Sequence, residues 1–196
     1  MTTKPSALRA DARRNRDRIL EAAVQAFSER GPDVAIDTIA KAAGVGSATL
    51  YRHFPTREAL IEAAYRNELA RVCDSAVKLL ADHEPDRAIR LWMDDFIDYL
   101  AAKQGMADAL RAAVASGANP FAETLDKLAT AIGTLLRAGA GAGLLRPDVD
   151  PFDVGFSLAG VGLITSAPGQ RERAGRLLDL LLDGLRYGAG GPASNS

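Results

Sequence analysis

Cysteine occurs once in these 196 residues, at Cys73, and histidine twice, at His53 and His83. One thiol closes no internal disulfide, which fits a reducing compartment; set among apolar residues of a helical stretch, Cys73 reads as core. Two distant histidines without a Glu-x-x-His pair leave no ligand set for a metal inside a helix bundle. The glycine fingerprints of nucleotide-binding loops, G-x-G-x-x-G and G-x-x-x-x-G-K-[ST], are missing, and no serine or cysteine stands in a catalytic setting. These absences speak against an enzyme and imply no cofactor. Aromatics make up only 6% of the chain, and no alternation of valine, isoleucine and threonine marks a strand. Alanine and leucine dominate instead, which favours an all-α protein. The longest apolar stretch, about residues 152–167, is broken by glycines and falls short of the roughly 18 residues that span a bilayer. No apolar run follows the early bases as it would in a secretory signal. The expectation is a soluble, cytoplasmic protein with no membrane partner.

The net charge of −1 conceals an asymmetry. Residues 1–60 carry ten Lys/Arg against seven Asp/Glu, and the remainder fourteen against eighteen. A basic front end on a mildly acidic body suits a head that meets a polyanion. Residues 1–10 hold proline, serine and threonine without apolar periodicity and read as a disordered arm. Arg9, Arg13, Arg14, Arg16 and Arg18 then cluster at the start of a helix expected over about Asp11–Arg30. Two readings stand for them: a solvated helix end partly paired with Asp11, Asp17 and Glu21, or contact with phosphates and the minor groove of DNA.

The most informative stretch is Ile39–Leu60. Ile39, Ala40 and Ala43 form one face of a short helix, and Gly44 suits the left-handed residue that ends it. Leu50 and Phe54, four apart, lie on the buried side of a second short helix. Ser47, Ala48, Thr49, Tyr51, Arg52 and His53 are left outside. Pro55 sets the break after Phe54. Two short helices about a glycine turn, the second presenting hydroxyls, an aromatic and a base, have the layout of a DNA-reading helix-turn-helix.

The run Ala43-Gly44-Val45, then Leu50-Tyr51-Arg52-His53-Phe54, then Arg57-Glu58-Ala59-Leu60 resembles the DNA-binding signature of TetR-family regulators, with Arg18–Gly31 resembling the first helix of that domain. The resemblance implies double-stranded DNA as partner, phosphate contacts from Tyr51 and His53, and a backbone anchor at Arg57. Ser47, Ala48 and Arg52 occupy positions that touch bases or phosphates in the family. Of these, Arg52 is the candidate for base readout, since a guanidinium bridges both acceptors of guanine. Thr38 and Lys41, on the outer side of the preceding helix, reach toward phosphate. One departure stands out: Ala35 occupies the place of the usual serine or threonine cap, and alanine is worse there by about 1 kcal/mol. Asp37 in the first turn offsets this partly through the helix dipole.

Beyond residue 58 the pattern predicts a helical domain over 59–187, about nine helices in all, and a disordered tail at 188–196. A long helix runs from Thr56, its N-cap, to about Ala81. The next, near Asp86–Lys103, sets Ile89, Trp92, Met93, Phe96, Ile97 and Leu100 against a solvated acidic side at Asp94, Asp95 and Asp98. Helices follow at about Met106–Ser116 and from Asn119-Pro120 to a glycine-rich end at 139–143. Asp150 caps a helix over Pro151–Thr165. The last helix, about Arg171–Tyr187, carries leucines over far more than the ~100° stripe of a surface helix, which points to a second buried face.

The resemblance implies that the last two helices pair with their copies in a homodimer, with Phe156, Ala159, Gly160, Leu163, Leu177, Leu178, Leu181, Leu182 and Leu185 as interface candidates. It also implies an unidentified small-molecule effector in the body. Trp92, Met93, Phe96, Tyr99, Met106, Leu110, Val114, Phe121, Leu125 and Leu128 are the pocket candidates, each alone equally readable as plain core. The function so implied is a ligand-responsive regulator, a repressor in the commoner case, on a near-palindromic operator. The rival reading is a helical binding module for a small molecule or protein without sequence-specific DNA binding.

Overall fold

The computed structural model describes residues 5–167 and 169–189, with side chains from residue 11 onward. Among these residues every regular element is an α-helix: α1 Pro5–Arg30, α2 Ile36–Ala42, α3 Ser47–His53, α4 Arg57–Asp82, α5 Pro85–Gly105, α6 Ala107–Ala115, α7 Thr124–Gly141, α8 Pro151–Ile164 and α9 Arg171–Arg186. None is long and apolar enough to cross a membrane. The helix expected from Asp11 begins two turns earlier, at Pro5, because proline suits a first helical turn and Ala7, Leu8 and Ala10 favour its continuation. The expected arm at 1–10 is therefore helical from residue 5. Its first four residues, Pro168 and residues 190–196 of the expected tail lie outside the described residues.

Two compact units make up the chain. One holds the chain through Glu68 together with Ala102–Ala122; the other holds Leu69–Ala101 and the chain from Glu123 onward. This division by contacts differs from the boundary expected after residue 58, because α4 carries its apolar face without a break through Leu60, Ile61, Ala64, Tyr65 and Leu69. In the first unit Ile19, Leu20, Ala23 and Phe27 of α1 are buried, as are Ile39, Ala40, Leu50 and Phe54 of α2 and α3. Tyr65 meets Phe121 edge to face, ring centroids 5.1 Å apart, and the Lys103 ammonium lies 5.2 Å from the centre of the Phe121 ring. At the end of α5, a Cβ on Gly105 would fall 2.5 Å from Ser28 Oγ, so only glycine permits this approach to α1.

In the second unit Trp92 is fully buried and its indole N–H donates to the Val72 carbonyl at 2.7 Å. Asp94 and Asp98, expected to be merely solvated, are ion-paired. Arg90 reaches Asp94 at 2.7 Å and Asp179 at 2.6 Å, and Arg171 reaches Asp98 at 2.5 Å. Arg186 pairs with Asp86 at 2.5 Å, completing a polar seam between α5 and α9. Arg90 lies one turn from Asp94 in α5 itself, but Arg171 and Arg186 stand 73 and 100 residues beyond their partners, so helical spacing within α5 carried no sign of those two.

One further expectation is corrected. Residues 120–123 form a turn, and α7 starts at Thr124 rather than at Asn119-Pro120. The helix ends at Gly141, within the glycine-rich end expected at 139–143, and Gly143 follows at φ +70°. Gly139 is also a packing site: a Cβ there would sit 2.3 Å from Leu145 Cδ1 and 3.0 Å from Leu145 Cβ. Thr56 and Asp150 cap α4 and α8 as expected, accepting from the backbone N–H of Ala59 at 3.1 Å and of Phe152 at 2.7 Å.

Candidate nucleic-acid interface and body recess

The head is built by three short-range decisions. Gly44 takes the left-handed conformation, φ +66°, and turns the chain between α2 and α3. Leu50 and Phe54 anchor α3, exposed by only 1% and 4%. Pro55 and the Thr56 cap then restart the chain as α4. The outer side of α3 is left to Ala48, Tyr51 and Arg52, which are exposed, and to Ser47, Thr49 and His53, which are half-buried. Tyr51 is 49% exposed, so its ring is not a core element. On α2, Lys41 is exposed and Thr38 half-buried.

Three polar contacts in the head escaped sequence reasoning. Arg57 donates from Nη1 to the Pro32 carbonyl at 2.6 Å and from Nη2 to the Val34 carbonyl at 2.8 Å. Two of its five donors thus brace the α1–α2 loop, so its role includes a clamp within the fold. Ser47 Oγ donates to Asp37 Oδ1 at 2.5 Å and joins the first turns of α3 and α2. Ala35 makes no side-chain cap for α2. The Arg16 guanidinium lies 5.6 Å from the centre of the Phe54 ring, and the His53 ring is tilted 40° to the same ring with centroids 6.1 Å apart. Of the early arginines, Arg14 pairs with Asp11, and Arg18 donates to Asn15 at 2.5 Å. A basic residue one helix and two turns away from a buried aromatic, as Arg16 is from Phe54, gives no sequence signal of this kind.

In the second unit a recess of about 630 Å³ opens between α4 and α7. Ala70, Cys73, Ala76, Val77 and Ala131 supply its apolar wall, with Asp74, Glu123, Asp126, Lys127, Thr130 and Thr134 around it. Burial, then the charge of Asp74, pushes the Cys73 thiol up to about 11, Lys127 partly opposing, so the thiol stays protonated near neutrality. Glu123 stands at φ +60°, a left-handed residue that is not glycine; its carboxylate meets Lys127 at 3.1 Å. Such backbone strain is concentrated at ligand clamps and switches.

None of the ten pocket candidates lines this recess. Trp92, Met93, Phe96 and Tyr99 are buried core of the second unit, and Met106 and Leu110 are buried core of the first. Val114, Phe121 and Leu125 are substantially exposed, and Leu128 is half-buried. Apolar composition marked core and surface alike, whereas the recess is lined by small and polar residues that no hydrophobic pattern singles out.

Residues 19–64 match the family described as bacterial regulatory proteins of the TetR family. Residues 84–187, just over half of the chain, match the C-terminal domain of SbtR-like transcriptional regulators. A solved TetR transcriptional regulator of Streptomyces coelicolor, SCO0520, is 57% identical, with 87% of this chain and 98% of that one covered at a TM-score of 0.84. The chain belongs to the TetR family. A second TetR regulatory protein, from Mycobacterium vanbaalenii, is 36% identical over 91% of this chain and 99% of its own, at a TM-score of 0.75. A helix-turn-helix-type regulator of Mycobacterium tuberculosis is 45% identical over 67 residues, which is 34% of this chain and 33% of that protein. The chain thus spans about a third of the length of that curated relative.

TetR-family membership identifies α1–α3 as the helix-turn-helix head of a transcriptional regulator, a family of regulators and not of enzymes. The nine dimer candidates divide by burial. Phe156 (66% exposed), Ala159, Gly160 and Leu163 (72%) lie open on α8. Leu177 and Leu181 are half-buried, whereas Leu178, Leu182 and Leu185 are buried within their own unit. Leu180, which the candidate set omitted, is 68% exposed on α9.

Proposed function

We propose that this TetR-family chain is a dimeric, ligand-responsive DNA-binding regulator, a repressor that holds a near-palindromic operator and releases it when a small molecule occupies the body. The observation that carries this reading is the division of labour on α3. Leu50 and Phe54 fasten the helix from inside, while Tyr51 and Arg52 stand exposed on its outer side. Phosphate contacts from Tyr51, His53, Thr38 and Lys41 would give salt-dependent affinity, and contacts from the outer edge of α3 to bases would give discrimination. A single reading helix meets too few base pairs to be selective. Two-fold pairing places two of them about one turn of DNA apart, or a multiple of it. The exposed apolar surface of α8 and α9 supports that pairing, because monomers rarely leave such side chains in water together.

The α4–α7 recess is the proposed effector site: its size suits a small molecule, and an apolar wall with polar surroundings is the usual lining of such sites. Release then follows from differential affinity of the effector for two body shapes. The reading also implies a cytoplasmic protein without catalytic activity. The deciding experiment is a fluorescence-anisotropy titration of the purified chain on the DNA upstream of its own gene, with and without unlabelled random duplex. Binding that survives competitor supports a regulator; no shift even at low salt overturns it.

A further inference from the structure

We propose that Asp37 and Ser47 act as one acceptor-only reading unit that selects a cytosine amino group in each half-site, Asp37 setting the polarity of Ser47. This rests on the DNA-binding reading above. Ser47 opens α3, and the first residues of a reading helix meet base edges in the major groove. A serine hydroxyl holds one proton and two lone pairs, and an ionised carboxylate holds lone pairs only. The proton of Ser47 is committed to Asp37 Oδ1 at 2.5 Å. Ser47 is half-buried, Asp37 is exposed, and the neighbouring Ala48 offers no polar group. What the pair still presents is the lone pairs of Ser47 Oγ and the free oxygen of Asp37.

Phosphate oxygens, guanine N7 and O6, thymine O4 and adenine N7 are all acceptors, so none of them pairs with such a unit. Only the exocyclic amino groups of cytosine and adenine do. Adenine sets its N7 acceptor directly beside the amino group, where it opposes a carboxylate, whereas cytosine does not. Cytosine is therefore the base chosen. The charge on Asp37 also turns the unit away from the sugar–phosphate backbone, so Ser47 serves a base and not a phosphate. Arg52, five residues on, stands about 7.5 Å further along the helix axis and carries donors only.

The test is selection from randomised duplexes by the full-length chain, followed by affinities on single-position variants of the selected operator. Wild type is expected to demand cytosine at one symmetry-related pair of positions. Ser47→Ala and Asp37→Asn should each lose about five- to tenfold discrimination there, with other positions and the salt slope unchanged. Asp37→Asn should also shift the preference toward guanine or thymine, because an amide can donate to Ser47 and release the hydroxyl proton outward. Asn is isosteric with Asp, so this variant serves if Ser47→Ala fails to fold, as checked by thermal melting. Relaxation at different positions in the two variants overturns the proposal, as does an unchanged preference or a uniform loss with a smaller salt slope. A wild-type chain that selects no sequence overturns the regulator reading as well, whereas a selective wild type with unaffected variants overturns this inference alone.

Discussion

Arg57 holds the Pro32 and Val34 carbonyls with two donors, while Tyr51 and Arg52 make no such inward commitment. The three side chains should therefore fail in three different ways. Replacing Arg57 with alanine strands two carbonyls at the α1–α2 loop and should cost about 2 kcal/mol in a urea titration. Lysine should rescue little of this, since an ammonium cannot match the planar fork. Tyr51→Ala should leave stability within about 0.5 kcal/mol and weaken binding to operator and random DNA alike. Arg52→Ala should bind random DNA nearly as before and lose about tenfold or more on the operator alone. Equal loss on both duplexes would remove Arg52 from base readout. Tyr51 and Arg52 were legible in the sequence because helical periodicity alone turns them outward from Leu50 and Phe54. The Arg57 clamp was not, because its acceptors are backbone atoms more than twenty residues away and carry no residue-type signature.

Glycines and ion pairs decide more among the helices than helical propensity does. In exposed helix, Gly→Ala gains stability, by up to about 1 kcal/mol. At Gly139 the new methyl would meet both Leu145 Cδ1 at 2.3 Å and its rigid Cβ at 3.0 Å; at Gly162 it would meet only the flexible end of Leu100 at 2.4 Å, with Leu100 Cβ at 3.5 Å. Gly139→Ala should thus lower the melting temperature and Gly162→Ala should lower it less or not at all, with Gly184→Ala, which meets nothing, as the neutral-to-stabilising control. The α5–α9 seam predicts a pH effect. The hydrogen bond from Arg186 holds the Asp86 carboxyl below its ordinary value, despite some opposing desolvation. A depressed folded value means that the stabilisation is complete above the unfolded value near 4 and fades as pH falls through the lower folded value. Asp86→Asn should reduce stability at pH 7 and flatten its fall on acidification below about pH 4, as read by denaturant midpoints across pH. Within α5, spacing separated the Trp92 face from the acidic side correctly. It missed the ion pairs to Arg171 and Arg186, since both arginines meet α5 only through the packing of α9.

For the whole molecule the outward side of α8 and α9 is the interface of the proposed dimer. Phe156, Leu163 and Leu180 are largely exposed, while Leu178 has no exposure at all. Phe156→Arg with Leu180→Glu should give a folded chain, normal by circular dichroism, that sediments as a monomer and loses most of its operator affinity. Leu178→Ala should instead cost about 2–5 kcal/mol through the cavity it leaves without first changing the sedimentation of the folded fraction. If the double variant stays dimeric, this face is not the dimer interface. Counting leucines could not separate these roles: a helix with two buried faces has the same composition whichever neighbour covers each one.

The sequence alone determined local features: in the head the helix-turn-helix register, the buried side of each helix and the outward Ala48, Tyr51 and Arg52, and at two helix starts the caps at Thr56 and Asp150. Each depends on neighbours within a few residues, where backbone geometry translates directly into spacing. It also carried the family resemblance through the run from Ala43 to Leu60. Tertiary structure decided what depends on distant partners. It brought Asp37 to Ser47, Arg57 to the α1–α2 loop, and the arginines of α9 to the acidic side of α5. It opened the recess between α4 and α7, whose wall of alanines, Cys73 and Val77 carries no aromatic. It also sorted the leucines of α9 into those that face their own unit and those that face outward. The physical reason is common to these cases: a hydrogen bond, an ion pair or a cavity belongs to two chain segments at once, and periodicity describes only one.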